Sequence, residues 1–161
     1  MMKNLARPIQ GPFRHLNRGA SLIEVLVAVL ILSLGLLGMA ALQSRALKGN
    51  VSSGQRAQAV MLSHYLLDVM RVDRESARGG SYNTGANFIC NPNAFNGATL
   101  AETSRRDWLT AIKQNVGRDD DNTTCASVAC DADFVCTIQI RWDDTLSGGL
   151  ANQTIVIASR V

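Results

Sequence analysis

A chain of 161 residues has room for one modest domain, and its formal charge of +3 is a local matter, because the first eighteen residues hold Lys3, Arg7, Arg14 and Arg18 and no acid. With that leader set aside, twelve basic residues face thirteen acidic ones, so the remainder lacks the basic excess on which nucleic-acid binding rests. After Leu42 no set of nucleophile, base and oxyanion donors stands out, nor a phosphate loop, a metal cluster or a cofactor motif, so the expectation is a protein that is not an enzyme and uses no cofactor.

Residues 1–18 carry Pro8, Gly11, Pro12 and scattered basic side chains without periodicity, and read as a cytoplasmic leader in which His15 is simply a polar residue beside a membrane. Val25 to Leu42 is a run of eighteen residues without a charge, interrupted only by Ser33, Gly35 and Gly38. A helix over residues 20–42 would be about 34 Å long at 1.5 Å per residue, enough for a hydrocarbon core of about 30 Å. Four basic residues precede this run and only Arg45 and Lys48 follow it closely, which places the leader in the cytoplasm and the rest outside. A secretory signal would carry small residues after its apolar core. Here the glycine, Gly19, comes before the core, and Glu24 lies inside its first turns. A carboxylate at the centre of a membrane helix costs about 2.5–3.5 kcal/mol on insertion scales, and less near an end. Glu24 therefore calls for a partner.

The stretch Gly19-Ala-Ser-Leu-Ile-Glu-Val25, between a basic leader and a long apolar tail, resembles the prepilin signature of type IV pilins and pseudopilins. The resemblance implies that a prepilin peptidase cuts between Gly19 and Ala20, that the new amine of Ala20 is methylated, and that Glu24 becomes the fifth residue and serves subunit assembly. Ala20 stands where the family commonly has an aromatic residue or methionine, so cleavage is expected with slower or altered methylation. Major pilins often carry a proline at the place of Ala41, and without it no kink is inferred there. Gly35 and Gly38 are three apart, which fits either close approach of another helix or the general frequency of glycine in membrane helices.

Beyond Leu42 the chain turns polar, and Ser52-Ser53-Gly54 is expected to loosen the helix. A second helical segment follows from about Gln55 to Arg74, with Ala59, Leu62, Leu66, Val69 and Met70 on one stripe and Asp68, Arg71 and Glu75 toward solvent. His64 and Tyr65 within it read as partly buried packing residues. Gly35-Leu-Leu-Gly38-Met-Ala-Ala-Leu-Gln43, Arg56-Ala-Gln-Ala and Leu67-Asp-Val-Met-Arg71 resemble the PilV-type minor pilins, or type IV pilus modification proteins, over residues 19 to about 82.

From Gly79 to Gly97 the composition is that of a loop, with Pro92 and Cys90 in it, and a loop of this length needs anchoring. Thr99 followed by Glu102 forms a capping-box pattern, and Leu100, Trp108, Leu109, Ile112 and Val116 then recur at helical spacing until Gly117. Asp119-Asp-Asp-Asn122 lacks the alternating ligands and distal glutamate of an EF-hand, and reads as a solvated acidic turn. Phe134, Cys136, Ile138, Ile140 and Trp142 alternate with Val135, Thr137, Gln139 and Arg141 as a period-two strand with one largely apolar face. Asp143 to Gly149 makes a turn, and Gln153 to Arg160 is a second strand returning antiparallel. One or two short strands from residues 80–100 are expected to extend the sheet.

Cys90, Cys125, Cys130 and Cys136 all fall on the outer side of the apolar segment. No Cys-x-x-Cys spacing or nearby histidine favours metal, so two disulfides are expected, with three pairings open. The expected fold class is α+β: a long amino-terminal helix, half membrane-embedded and half amphipathic, on a small antiparallel sheet in a pilin-like arrangement. Its parts are a cleaved leader at 1–19, a transmembrane or fibre-core helix at 20–42 and a periplasmic domain at 43–161. The resemblance further implies an inner-membrane precursor that ends in an extracellular pilus. Its partners would be the peptidase, other minor and major pilins and a tip adhesin, with roles in pilus assembly and adhesion. Two other readings are a type II secretion pseudopilin and a single-span periplasmic sensor.

Overall fold

The computed structural model describes residues 19–85 and 87–161, so the expected leader before Gly19, and Ala86 of the expected loop, lie outside the described residues. The elements in chain order are the helices α1 (Leu22–Val72), α2 (Arg74–Arg78) and α3 (Leu100–Asn115), then the strands β1 (Cys125–Cys130), β2 (Val135–Trp142) and β3 (Gln153–Arg160). Short 3-10 turns occur at Pro92–Ala94 and Thr145–Ser147. Two compact units divide the chain, one ending at Ala41 and the other comprising Leu42–Val161.

In the first unit every described residue of α1 is exposed, and its apolar side chains have no core of their own to enter. The second unit is an α+β domain in which the amphipathic part of α1 packs on a three-stranded antiparallel sheet, a pilin-like layout. Ala59, Leu62, Ser63, Leu66, Leu67 and Met70 of α1 are buried, the three-and-four spacing of one helical face. Val69 packs only at the rim of this core. The hydroxyl of buried Ser63 donates to the Ala59 carbonyl at 2.8 Å, so a polar residue occupies the stripe without an orphan group. His64 and Tyr65, expected to be partly buried, are exposed instead, because burial at 62–63 and 66–67 turns the intervening positions outward.

Ser52-Ser53-Gly54 does not interrupt α1. The Ser52 hydroxyl donates to Asp144 Oδ2 at 2.5 Å rather than competing for the helix backbone, and Gln55 Nε2 donates to the Val116 carbonyl at 2.8 Å. Tertiary bonds on both sides of Gly54 thus offset its low helix propensity.

α3 begins at the expected cap, with Thr99 Oγ1 accepting the Glu102 amide at 3.3 Å. Trp108, Leu109, Ile112 and the following Val116 are buried, whereas Leu100, in the first turn, is 58% exposed and does not join the core. The indole N–H of Trp108 donates to the Leu62 carbonyl at 2.9 Å, tying α3 to α1 across the core.

The sheet order is β1-β2-β3, each neighbouring pair antiparallel. β2 alternates as expected, with Cys136, Ile138, Ile140 and Trp142 buried. Phe134 lies just before it, at φ 60° under the guanidinium of Arg78, rather than inside the strand. The third strand is β1, not a segment from 80–100. Among the described residues, 80–100 contribute to it a single bridge, Ile89 to Ala126, beside a 3-10 turn. β1 escapes the period-two test because Cys125, Ala126, Ser127 and Val128 are buried in succession, which requires cover on both faces and removes alternation.

Candidate functional site

The amino-terminal segment is the first place where residues lie outside any local packing requirement. Gly19 and Ala20 are exposed and non-helical. The Ser21 carbonyl then accepts the amides of Glu24 at 2.9 Å and Val25 at 3.2 Å, which starts α1. A Cβ on Gly19 would meet nothing within 4 Å. Among the described residues, therefore, nothing asks for glycine there.

Glu24 is exposed in the first turn of α1, where the unpaired helix amides favour a negative charge. Among the described residues it has no ion-pair partner. Around it Leu22, Ile23, Val25, Leu26 and Val27 are exposed at 46–84%, so the carboxylate stands on an apolar surface whose natural surroundings are lipid or other helices. The helix is long and apolar enough to cross a membrane. Its one hydroxyl in the apolar run, Ser33, donates to the Leu30 carbonyl at 2.8 Å and so presents no free donor to an apolar medium. Gly35 and Gly38 have open space where a side chain would go.

A family model described as the prokaryotic N-terminal methylation motif matches residues 14–40. The chain carries this methylation motif. Gly19, Ala20 and Glu24 all fall inside the matched span, as does most of the apolar run. The motif supports a type IV pilin-like or pseudopilin protein that is processed by a prepilin peptidase and assembles with pilins in general. No curated protein and no solved structure matches the chain.

In the Leu42–Val161 unit the cysteines pair as Cys90 with Cys125 and Cys130 with Cys136. Cys130 and Cys136 face each other in the register of β1 and β2, closing the turn between them. Cys90 follows Ile89, whose bridge to Ala126 brings it beside Cys125. The long loop from Gly79 to Gly97 is held by more than its disulfide. Tyr82 and Phe95 are buried, and the Tyr82 hydroxyl donates to Asp73 at 3.1 Å. Burial, followed by the hydrogen bond to the Asp73 carboxylate, pushes the phenol up to about 12.

The acidic turn expected to be solvated is so only in part. Asp119, Asp120 and Asn122 are exposed, but Asp121 is half-buried and organises the turn. Its carboxylate accepts the Thr124 amide and hydroxyl, both at 2.7 Å, and the amides of Arg118 and Thr123, both at 3.2 Å. Lys113, almost wholly buried, reaches the Asp121 carbonyl at 2.5 Å and its carboxylate at 3.7 Å. Partial burial works against the Asp121 charge, yet the Thr124 bonds, Lys113 and the Arg118 amide outweigh it and hold the carboxyl below its ordinary value. An ammonium and four donors thus occupy the place a cation would need. A charge run in sequence shows composition only; the internal partners of Asp121 come from Lys113 and Thr124 folding onto it.

Proposed function

We propose that this protein is a minor pilin subunit. Its precursor sits in the inner membrane through the apolar half of α1, with the Leu42–Val161 domain in the periplasm. Cleavage between Gly19 and Ala20 and methylation of Ala20 prepare it to join a type IV pilus, in a tip or priming complex that supports assembly and adhesion. The observation that carries this reading is the methylation motif over 14–40 on a helix whose apolar residues, from Leu22 to Leu42, are all left uncovered by the chain itself.

Helices of this kind gain by packing their apolar surfaces together when they leave the bilayer. The carboxylate of Glu24 then pairs with the Ala20 amine of a neighbouring subunit, so that two charges penalised separately in an apolar medium satisfy each other. The protein acts as a peptidase substrate and a packing unit rather than as a catalyst, and it uses no cofactor.

Mass spectrometry of the mature amino terminus tests the mapping. A chain starting at Ala20 is expected, and one that keeps Met1 or starts elsewhere sinks it. Glu24→Ala should still insert but fail to assemble, whereas a periplasmic sensor would hardly respond. Deletion of the gene should abolish pili; loss of protein secretion with intact pili would instead favour the type II secretion pseudopilin.

A further inference from the structure

We propose that the outer edge of β3 receives an extended, acidic segment of a partner polypeptide as a fourth, antiparallel strand. The two edges of the sheet are treated differently by the fold. The outer edge of β1 is covered: Ile89 and Ala126 exchange backbone bonds at 2.8 and 2.9 Å, the Thr84 amide donates to the Val128 carbonyl at 2.9 Å, and Asn83 Oδ1 accepts the Cys130 amide at 2.9 Å.

β3 has no such cover. The Val161 amide donates to the Phe134 carbonyl at 3.0 Å beside the Val135–Arg160 pair, so the backbone groups of Arg160 point away from β2. Alternation along the strand gives Ala158, Val156 and Thr154 the same orientation. Among the described residues these four positions have no backbone partner on that side. Edge strands that must stay unpaired carry proline, an internal lysine or a bulge. Gln153-Thr-Ile-Val-Ile-Ala-Ser-Arg160 has none of these, pairs without a break with β2 over eight residues, and exposes Val156 at 59%.

Charge selects the occupant. Arg56 of α1 donates to Gln153 Oε1 at 2.9 Å at one end of β3, and Arg71 of α1 donates to Ser159 Oγ at 2.7 Å at the other, next to Arg160. Arg71 shares its charge with Asp68 at 2.6 Å, but among the described residues Arg56 and Arg160 have no carboxylate within ion-pair distance. Cations therefore mark both ends of the edge. A second copy pairing β3 antiparallel to β3 would set Arg160 of each chain against the Gln153 and Arg56 end of the other, an arrangement of like charges that disfavours pairing. A strand with acidic residues near both ends complements the site, with main-chain bonds supplying affinity and the arginines supplying choice.

This inference does not depend on the fate of the amino terminus, so it stands or falls separately from the pilin reading. The test uses the full chain, isotope-labelled in detergent micelles, and an eight-residue peptide of alternating Thr and Val with Asp at each end. The control peptide has Lys at each end. At a tenfold excess over its Kd the Asp-ended peptide should slow amide exchange at Thr154, Val156, Ala158 and Arg160 about tenfold, because edge amides exchange only from the free form. Val156→Pro removes one outward N–H without touching the bonds to β2 and should abolish the effect at the other three amides. Should that variant fold poorly, the double change Arg56→Glu with Arg160→Glu should reverse the preference toward the Lys-ended peptide. Equal slowing by both peptides, no slowing by either, or a double variant that keeps the parent's preference overturns the proposal. Protection that rises with protein concentration in the absence of peptide overturns it in favour of self-pairing.

Discussion

Replacing each disulfide by a pair of alanines should cost the Leu42–Val161 domain unequally. Cys90 and Cys125 close a loop of 35 residues, whereas Cys130 and Cys136 close one of 6. Loop-closure entropy assigns about 4 kcal/mol to the first bond and about 2 kcal/mol to the second at 25 °C. Packing does not confuse the comparison, because each pair contains one buried cysteine, Cys125 or Cys136, and one partly buried one, Cys90 or Cys130. Local structure widens the gap. β1 and β2 are already joined by a continuous ladder that includes the Cys130–Cys136 pair, whereas the segment around Cys90 meets the sheet through a single bridge and a few hydrogen bonds. Trp108 and Trp142 are both buried, so their fluorescence reports unfolding in urea for the full chain in detergent. The short-loop variant should retain most of the parent stability. A short-loop loss equal to or greater than the long-loop loss would refute the argument from loop length.

Tyr82→Phe keeps the ring in the core and removes the hydroxyl that donates to Asp73, at an expected cost of about 1 kcal/mol in urea unfolding. Because the phenol of Tyr82 is raised from 10.0 to about 12 in the folded state, its contribution is complete below pH 10 and is lost as the pH climbs toward 12. The phenylalanine variant should lack that alkaline decline, and an unchanged pH profile would contradict the assignment. Asp121→Asn leaves buried Lys113 without its counter-charge and should cost about 3 kcal/mol near neutral pH. With the Asp121 carboxyl held below 3.8, its stabilisation is present above that pH and disappears as the pH falls through the lowered value, so parent and variant should converge in acid. Gly19→Val has no steric consequence within the chain and should change stability by less than about 0.5 kcal/mol, while leaving an uncut precursor visible by mass spectrometry. Normal cleavage of that variant would remove the reason for glycine at this position.

Much of this molecule was legible before any coordinates because its signals are local. An eighteen-residue apolar run, a basic leader, a glycine before the run and a carboxylate within it are properties of neighbouring residues, and so are the Thr99 cap and the alternation of Cys136, Ile138, Ile140 and Trp142. Helix and strand periods follow from backbone geometry alone. What the letters leave open depends on residues far apart in the chain. β1 shows no alternation because it is covered on both faces; Ser52 stays helical because Asp144, 92 positions away, engages its hydroxyl. His64 and Tyr65 face outward because the stripe beside them is the one that meets α3 and the sheet. The pairing of four cysteines, the internal partners of Asp121 and the difference between a covered and an open sheet edge are likewise long-range facts. For the opening segment the order is reversed: among the described residues Gly19 and Glu24 have no partners, and what singles them out is the motif that contains them.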